Sequence, residues 1–311
     1  MTKILYGGKA SDAPVWRETL LALKPDLDLV MSPDDCSPDE VDIILYEPSG
    51  TIQDMRAYSG VAAIQSLWAG VETLLASDTL PVGPPLLRMV EDGMTVGMTD
   101  YVVGHAYRAH LGVVQQQKDQ ANGVWGSANP PLSRDRKVGI VGLGALGRDA
   151  AERLRDMRFD VRGWSRTEKE IEGVQCLFGP DGFQRVLAES EILILLAPHT
   201  PETENLLNEA AFAAMREGAH LINAARGALI DEEALLSALD SGKIGTATLD
   251  VFRKEPLPSD HALWQHPNVL ITPHIASVTR SETAALAILE QVERFETGRP
   301  FLHTVERERG Y

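Results

Sequence analysis

Three polar side chains sit just beyond short apolar runs. Arg226 follows Leu221-Ile222-Asn223-Ala224-Ala225, Glu255 follows Leu249-Asp250-Val251-Phe252, and His274 follows Ile271-Thr272-Pro273. In an open α/β sheet the ends of such runs gather at one crevice, so the three can converge there. Arginine offers a planar two-pronged donor for a carboxylate or carbonyl. Histidine can give a proton to a nascent alkoxide near neutral pH. A glutamate on the far imidazole nitrogen would keep the ring protonated and oriented. Together these residue types suit hydride transfer to a 2-keto acid.

Hydride chemistry needs a nucleotide, and one stretch is built to take it. The run Val138-Gly139-Ile140-Val141 ends in Gly142-Leu143-Gly144-Ala145-Leu146-Gly147, three glycines spaced G-x-G-x-x-G. Beyond them Ala150, Ala151, Leu154 and Met157 recur at helical spacing, so the glycines mark a strand turning into a helix. Gly142 would allow the tight turn, Gly144 the approach of a pyrophosphate, and Gly147 close packing of helix on strand. The helix N-terminus, starting at Ala145 and Leu146, then offers N–H groups to phosphate. At the end of the next strand, where an acidic residue would hold a ribose 2′-hydroxyl, stands Trp164-Ser165-Arg166-Thr167, with no carboxylate before Glu168. Ser165 and Arg166 can donate to a 2′-phosphate, so the expected cofactor is NADPH, with NADH as the alternative.

The elements that must position these groups read as alternating strands and helices. Short apolar runs at Lys3–Tyr6, Leu27–Met31, Ile43–Tyr46 and Ala62–Leu67 precede a small-residue turn, Trp68-Ala69-Gly70-Val71, that leads into a helix near Glu72. Backbone N–H groups of Ala69, Gly70 and Val71 could form a carboxylate-binding nest there. A long helix is expected from Asp100 to about Val114, then a polar segment without clear period from Gln115 to Arg136. Strands follow at Val138–Val141, Val161–Trp164, Ile192–Ala197, Ala219–Asn223, Thr246–Val251 and Val269–Thr272, then a helix over Thr279–Phe295 and a tail from Phe301 to Tyr311. The reading is α/β with parallel sheets. Boundaries near 99 and 278 divide it into a substrate domain, 1–99 plus 279–311, and a dinucleotide domain, 100–278.

Composition narrows the function classes. With 311 residues and a net charge of −16, nucleic acid and anionic membranes are disfavoured partners. No apolar run approaches a membrane span and no signal-peptide pattern opens the chain, so a cytoplasmic location is expected. Cys36 and Cys176 read as two reduced thiols. No metal site is expected.

At this point the sequence resembles the D-2-hydroxyacid dehydrogenase family, specifically its glyoxylate/hydroxypyruvate reductase A-type members. The resemblance covers nearly the whole chain. It rests on Gly142 to Gly147, Trp164-Ser165-Arg166-Thr167, Leu196-Ala197-Pro198-His199-Thr200-Pro201-Glu202-Thr203, Asn223 to Gly227, Asp250 to Pro258, Leu263-Trp264-Gln265-His266-Pro267, Pro273-His274 and the terminal Arg309-Gly310-Tyr311. It implies two Rossmann-like doubly wound parallel-sheet domains, the substrate domain built from both termini, and a homodimer formed largely through the nucleotide-binding domains. It implies Arg226 on the substrate carboxylate and carbonyl, Glu255 paired with His274, and His274 as acid/base. Ala69, Gly70 and Val71 would bind the carboxylate, and Pro198, Thr203, Ala224 and Asp250 would line the nicotinamide side with Arg226 and His274. Trp68 stands where the family usually has a small residue and Glu72 where it has an aspartate; Trp68 would narrow the pocket toward two- and three-carbon acids or pack in the core. Tyr46 matches an aromatic position that closes the pocket, with Met94 and Met98 as further candidates. The expected activity is NADPH-dependent reduction of glyoxylate and hydroxypyruvate to glycolate and glycerate. The alternatives are an NAD-dependent dehydrogenase of another 2-hydroxy acid and a nucleotide-sensing corepressor-like protein. A formate dehydrogenase is disfavoured, because that relative is expected to carry an amide in place of Glu255.

Overall fold

The computed structural model describes residues 2–126, 129–308 and 310 and divides into two compact units, 1–94 with 279–311 and 95–278. Arg309 and Tyr311 of the terminal motif lie outside the described residues.

In the first unit the strands are β1 (Lys3–Gly7), β2 (Asp28–Val30), β3 (Ile43–Tyr46), β4 (Ala63–Ser66) and β5 (Leu86–Leu87). They form one all-parallel sheet in the order β2-β1-β3-β4-β5. The central strands β3 and β4 are buried along their length, as parallel strands covered on both faces require, and β4 ends in two buried polar residues, Gln65 and Ser66. Helix α1 (Ala13–Leu23) lays Trp16 and Leu20 on this core, and the short α2 (Glu72–Leu75) follows β4.

Helix α3 (Asp92–His110) leaves this unit. Its start is fixed by the Glu91 carboxylate, which accepts from the N–H of Gly93 at 2.6 Å and of Met94 at 2.7 Å. The helix begins eight residues before the expected Asp100 because this cap, absent from any apolar periodicity, satisfies its first orphan donors. Gly112, at φ +68°, breaks the helix expected to reach Val114, and α4 (Val113–Ala121) restarts just beyond it and runs into the segment read as aperiodic. None of its residues is buried, which removes the periodic signal.

The second unit continues with β6 (Lys137–Val141), α5 (Ala145–Asp156), β7 (Asp160–Ser165), β8 (Gln175–Phe178), α6 (Gly179–Glu189), β9 (Ile192–Leu195), α7 (Glu209–Ala214), β10 (Ala219–Asn223), α8 (Glu232–Asp240), β11 (Ile244–Leu249) and β12 (Val269–Ile271). All seven strands are parallel, in the order β12-β11-β10-β9-β6-β7-β8. The direction of winding reverses between β6 and β9, the place where doubly wound sheets open a crevice at their carboxyl ends. Alternation along the strands sorts the core. Val138, Ile140, Ile192 and Ile194 pack with Val102 and Ala106 of α3 and with Ala150, Ala151 and Leu154 of α5. Leu193, Leu195, Leu221 and Leu249 pack on the other face with Val186, Phe212, Leu235 and Leu239. Strands β5 and β8 were not foreseen; one is two residues long and the other carries exposed Gln175 and Phe178.

The last helix, α9 (Ser281–Glu296), belongs to the first unit, where Ala284, Ala285, Ile288 and Val292 complete the core beside Trp16 and Leu20. Among the described residues no helix is long and apolar enough to cross a membrane. Cys36 and Cys176 are free thiols.

Candidate active site

The glycine turn lies between β6 and α5. Gly142 has φ +107°, and its N–H donates to Trp164 O of β7 at 2.8 Å, which fixes the turn against the neighbouring strand. A Cβ on Gly147 would come 1.8 Å from Gly142 O, so only glycine lets α5 press on this turn. Gly144 differs: its backbone is extended, and a Cβ there would meet no protein atom within 4 Å. The protein itself therefore does not demand glycine at 144. That space opens at the start of α5, beside exposed Ala145 and half-buried Leu146, where a helix end can draw a phosphate.

At the end of β7 the residues divide their work. Trp164 donates its indole N–H to Gly179 O at 2.8 Å and packs on Phe183, holding β7 to α6. Ser165 is buried, and its hydroxyl donates to Thr167 O at 2.7 Å. That proton, expected to face a 2′-phosphate, is thus used to shape the turn; Arg166 is the exposed donor. Beyond β9, Thr203 closes a tight turn: Thr200 N–H donates to its hydroxyl oxygen at 2.7 Å, and the hydroxyl donates to Pro198 O at 2.8 Å. Pro198 is exposed on this turn, while Ala224 is buried beyond β10, its N–H reaching Leu195 O at 3.4 Å.

The three catalytic candidates come from separate strand ends. His274 Nδ1 lies 2.6 Å from Glu255 Oε2, and Glu255 Oε1 accepts from the N–H of Phe252 at 2.9 Å. The hydrogen bond to Glu255 raises the His274 pKa above its usual value, against the opposing effect of burial and of the Arg226 charge. Burial pushes the Glu255 carboxyl up, but the bonds from His274 and Phe252 N–H, with the His274 and Arg226 charges, leave it below the ordinary carboxylate range. Arg226, extended at the end of β10, anchors its own fork with Nη1 donating to Ala225 O at 2.7 Å. With Nδ1 committed to Glu255, Nε2 is the nitrogen left to exchange a proton with substrate.

His274 adopts φ +55°, a left-handed conformation that a non-glycine residue holds only when its surroundings impose it. Asp250 is what imposes it. His274 N–H donates to Asp250 O at 2.9 Å, while the Asp250 carboxylate accepts from Ile275 N–H at 2.9 Å, Ala276 N–H at 2.8 Å and the Thr272 hydroxyl at 2.5 Å. Since Thr272 spends its proton on Asp250, the Tyr101 hydroxyl, 2.7 Å away, donates to Thr272. Asp250 is 1% exposed and acts as a buried clamp behind the histidine. Neither Tyr101 nor Thr272 was singled out in the sequence, because nothing in their spacing relates an α3 tyrosine to β12.

In the first unit, Val71 N-caps α2, and among the described residues the N–H groups of Ala69, Gly70 and Val71 donate no hydrogen bond. Ser66 braces this turn, its hydroxyl donating to Trp68 O at 2.9 Å and accepting from Trp68 N–H at 3.0 Å. Trp68 is half-buried against two apolar clusters, so much of its ring is core. Tyr46 and Met94 are buried in that unit's cores, and Met98 in the second unit's core. Among the described residues no group of three His, Cys, Asp or Glu side chains could hold a metal.

Comparison with known proteins places this geometry in company. Residues 103–276 match the model of the D-isomer specific 2-hydroxyacid dehydrogenase NAD-binding domain. The glyoxylate/hydroxypyruvate reductase A of Yersinia enterocolitica is 37% identical over 282 residues, 89% of each chain. A D-isomer specific 2-hydroxyacid dehydrogenase from Xanthobacter autotrophicus, solved with NADPH and MES, superposes with a TM-score of 0.93 at 37% identity, covering 100% of this chain and 99% of that one. The NADPH-dependent glyoxylate/hydroxypyruvate reductase of Sinorhizobium meliloti, solved with NADP and sulfate, gives a TM-score of 0.90 at 31% identity over 100% of both chains.

Proposed function

The chain belongs to the D-isomer specific 2-hydroxyacid dehydrogenase family, and from that premise we propose that it reduces glyoxylate and hydroxypyruvate to glycolate and glycerate with NADPH. The observation that carries the reading is the His274–Glu255 pair at 2.6 Å, together with a glycine turn that leaves open space at Gly144. The similarity to reductases whose names specify these substrates, and to structures solved with NADPH or NADP, supports the finer choice.

The nicotinamide, when bound, supplies the hydride that adds to the keto carbon. Arg226 binds the carboxylate and polarises the carbonyl with its fixed fork. His274, kept protonated by Glu255, gives its Nε2 proton to the oxygen as negative charge develops there. Glu255 stabilises the imidazolium and holds the ring, and Asp250 keeps the His274 backbone in place. The N–H groups of Ala69, Gly70 and Val71 are proposed as carboxylate donors, and Arg166 as the reader of the 2′-phosphate. A homodimer is proposed from the segment after α3, where Trp125 is 99% exposed and Leu111, Val124 and Leu132 are also uncovered. The free Cys36 and Cys176 support a reducing, cytoplasmic setting.

The test is a panel of 2-keto acids assayed with NADPH and NADH separately. The expected result is highest kcat/KM for glyoxylate or hydroxypyruvate with NADPH. Preference for a larger keto acid, or for NADH, would overturn the assignment.

A further inference from the structure

Between the catalytic candidates lies an arginine that none of the chemistry above uses. Arg253 is two residues before Glu255, and its guanidinium ties its own loop to two others of the second unit. Nε donates to Ile230 O at 3.1 Å; Nη2 donates to Ile230 O at 3.0 Å, to Ala228 O at 3.1 Å and to the Asn205 side-chain oxygen. Nη1 donates to Glu204 Oε1 at 2.8 Å, and the other oxygen of Glu204 lies 2.6 Å from His199 Nε2. The three loops follow β9, β10 and β11, neighbours in the sheet. They carry, in turn, the Pro198–Thr203 turn, Arg226 and Glu255.

The backbone repeats the pattern. A Cβ on Gly227 would lie 2.0 Å from Phe252 C and 2.4 Å from Arg253 N, so the residue after Arg226 presses directly on the peptide that leads to Glu255. Asn205 N–H donates to Ala228 O at 2.9 Å and Leu207 N–H to Leu229 O at 2.9 Å, which ties the first loop to the second. Phe252 N–H, one residue before Arg253, is the backbone donor to Glu255 Oε1. A shift of the Arg253 peptide therefore moves both the contact under Arg226 and the carboxylate beside His274.

We propose that Arg253 is a positioning residue for the reduction, a staple that fixes the Arg226 loop and the Glu255 loop at the separation the reaction needs. The inference rests on the function proposed above but has its own readout. Lysine in its place keeps the charge, yet a single ammonium cannot reach four acceptors on two loops. Any change in Arg253→Lys thus reports lost geometry, not lost charge. Removing charge alone would act the other way, since one fewer cation nearby favours the protonated imidazole.

The experiment follows the His274 imidazole in the full-length apo protein by ¹H–¹⁵N NMR across pH, in wild type and Arg253→Lys, with His274→Ala to assign the signal. In the same preparations kcat and KM for glyoxylate are measured, with circular dichroism as a folding control. The expected result is a His274 titration displaced to lower pH in Arg253→Lys, a higher KM together with a lower kcat, and on the order of tenfold loss in kcat/KM, as a sub-ångström misplacement of reacting groups produces. If Arg253→Lys does not fold, Glu204→Gln removes one tie and should give the same displacement in smaller measure. A His274 titration and pH profile like wild type in a folded variant overturns the staple. Wild-type protein that reduces no 2-keto acid overturns the proposed activity instead, and the NMR comparison still decides the role of Arg253.

Discussion

Two neighbouring glycines should respond to the same substitution in opposite ways. In Gly147→Ala the new methyl falls 1.8 Å from Gly142 O, a backbone atom that cannot swing aside. Helix α5 must move off the turn, and overpacking of this kind costs about 1–3 kcal/mol, with a backbone clash at the upper end. For a unit of this size that corresponds to a fall in Tm of roughly 6–12 °C. In Gly144→Ala the methyl meets no protein atom within 4 Å, and the extended backbone there suits alanine. The slightly poorer N-cap is offset by about 0.4–1 kcal/mol of reduced freedom in the unfolded chain, so Tm should stay within roughly 3 °C. The cofactor, in contrast, should be pushed off the α5 N-terminus. Loss of one charge-assisted hydrogen bond to its pyrophosphate, about 1.5–3 kcal/mol, weakens NADPH roughly 10- to 150-fold. Thermal melts and NADPH fluorescence titrations on the same preparations separate the two effects. Wild-type NADPH affinity in Gly144→Ala, or parallel loss of stability in both variants, would refute the claim that the space at 144 belongs to a ligand.

Glu255→Gln should move the alkaline limb of the reductase pH profile to lower pH. In the proposed reaction His274 acts protonated, so activity should fall as pH rises through its pKa, and the bond to Glu255 is the largest cause of that pKa being raised; an unmoved limb in kcat/KM would uncouple the pair. Arg166→Ala should weaken NADPH by about 10- to 150-fold and leave NADH nearly unchanged, as loss of one charge-assisted bond to the 2′-phosphate requires; equal loss for both cofactors in kcat/KM would show that Arg166 does not read the phosphate. In the proposed homodimer Trp125→Glu should shift the mass toward the monomer in sedimentation equilibrium, since it puts a charge where an exposed indole would be covered; an unchanged mass would remove Trp125 from the interface.

Strand-ends and glycines were legible in the sequence because local chemistry dictates them. The run Val138–Val141 and its three glycines announce a strand, a turn and a helix within ten residues, and the structure gives β6, the turn and α5 there. The pairing of His274 with Glu255, 19 residues apart with no period linking them, was legible only as a convergence of strand ends, which the family resemblance then made specific. What escaped was whatever depends on tertiary partners. Helix α4 has no fully buried residue, so it has no apolar stripe to read. Ser165 looked like a free donor until the fold turned it on Thr167. Arg253 and Lys254 are equivalent on paper; only the return of Ala228, Ile230 and Glu204 to one point in space tells them apart.

The route of the chain through its two units also bears on how it is made. The second unit is one uninterrupted stretch, 95–278, whereas the first waits for Ala284, Ala285, Ile288 and Val292 of α9 to close its core. A ribosome adding about 5–20 residues per second spends roughly 10–40 s on the stretch between the two halves of the first unit. During that interval the nucleotide unit can collapse and fold as it emerges, while β1, α1 and β3 stand with one apolar flank uncovered. The nascent chain is therefore expected to fold from its middle outward, and its earliest-made segment is the one most in need of a chaperone.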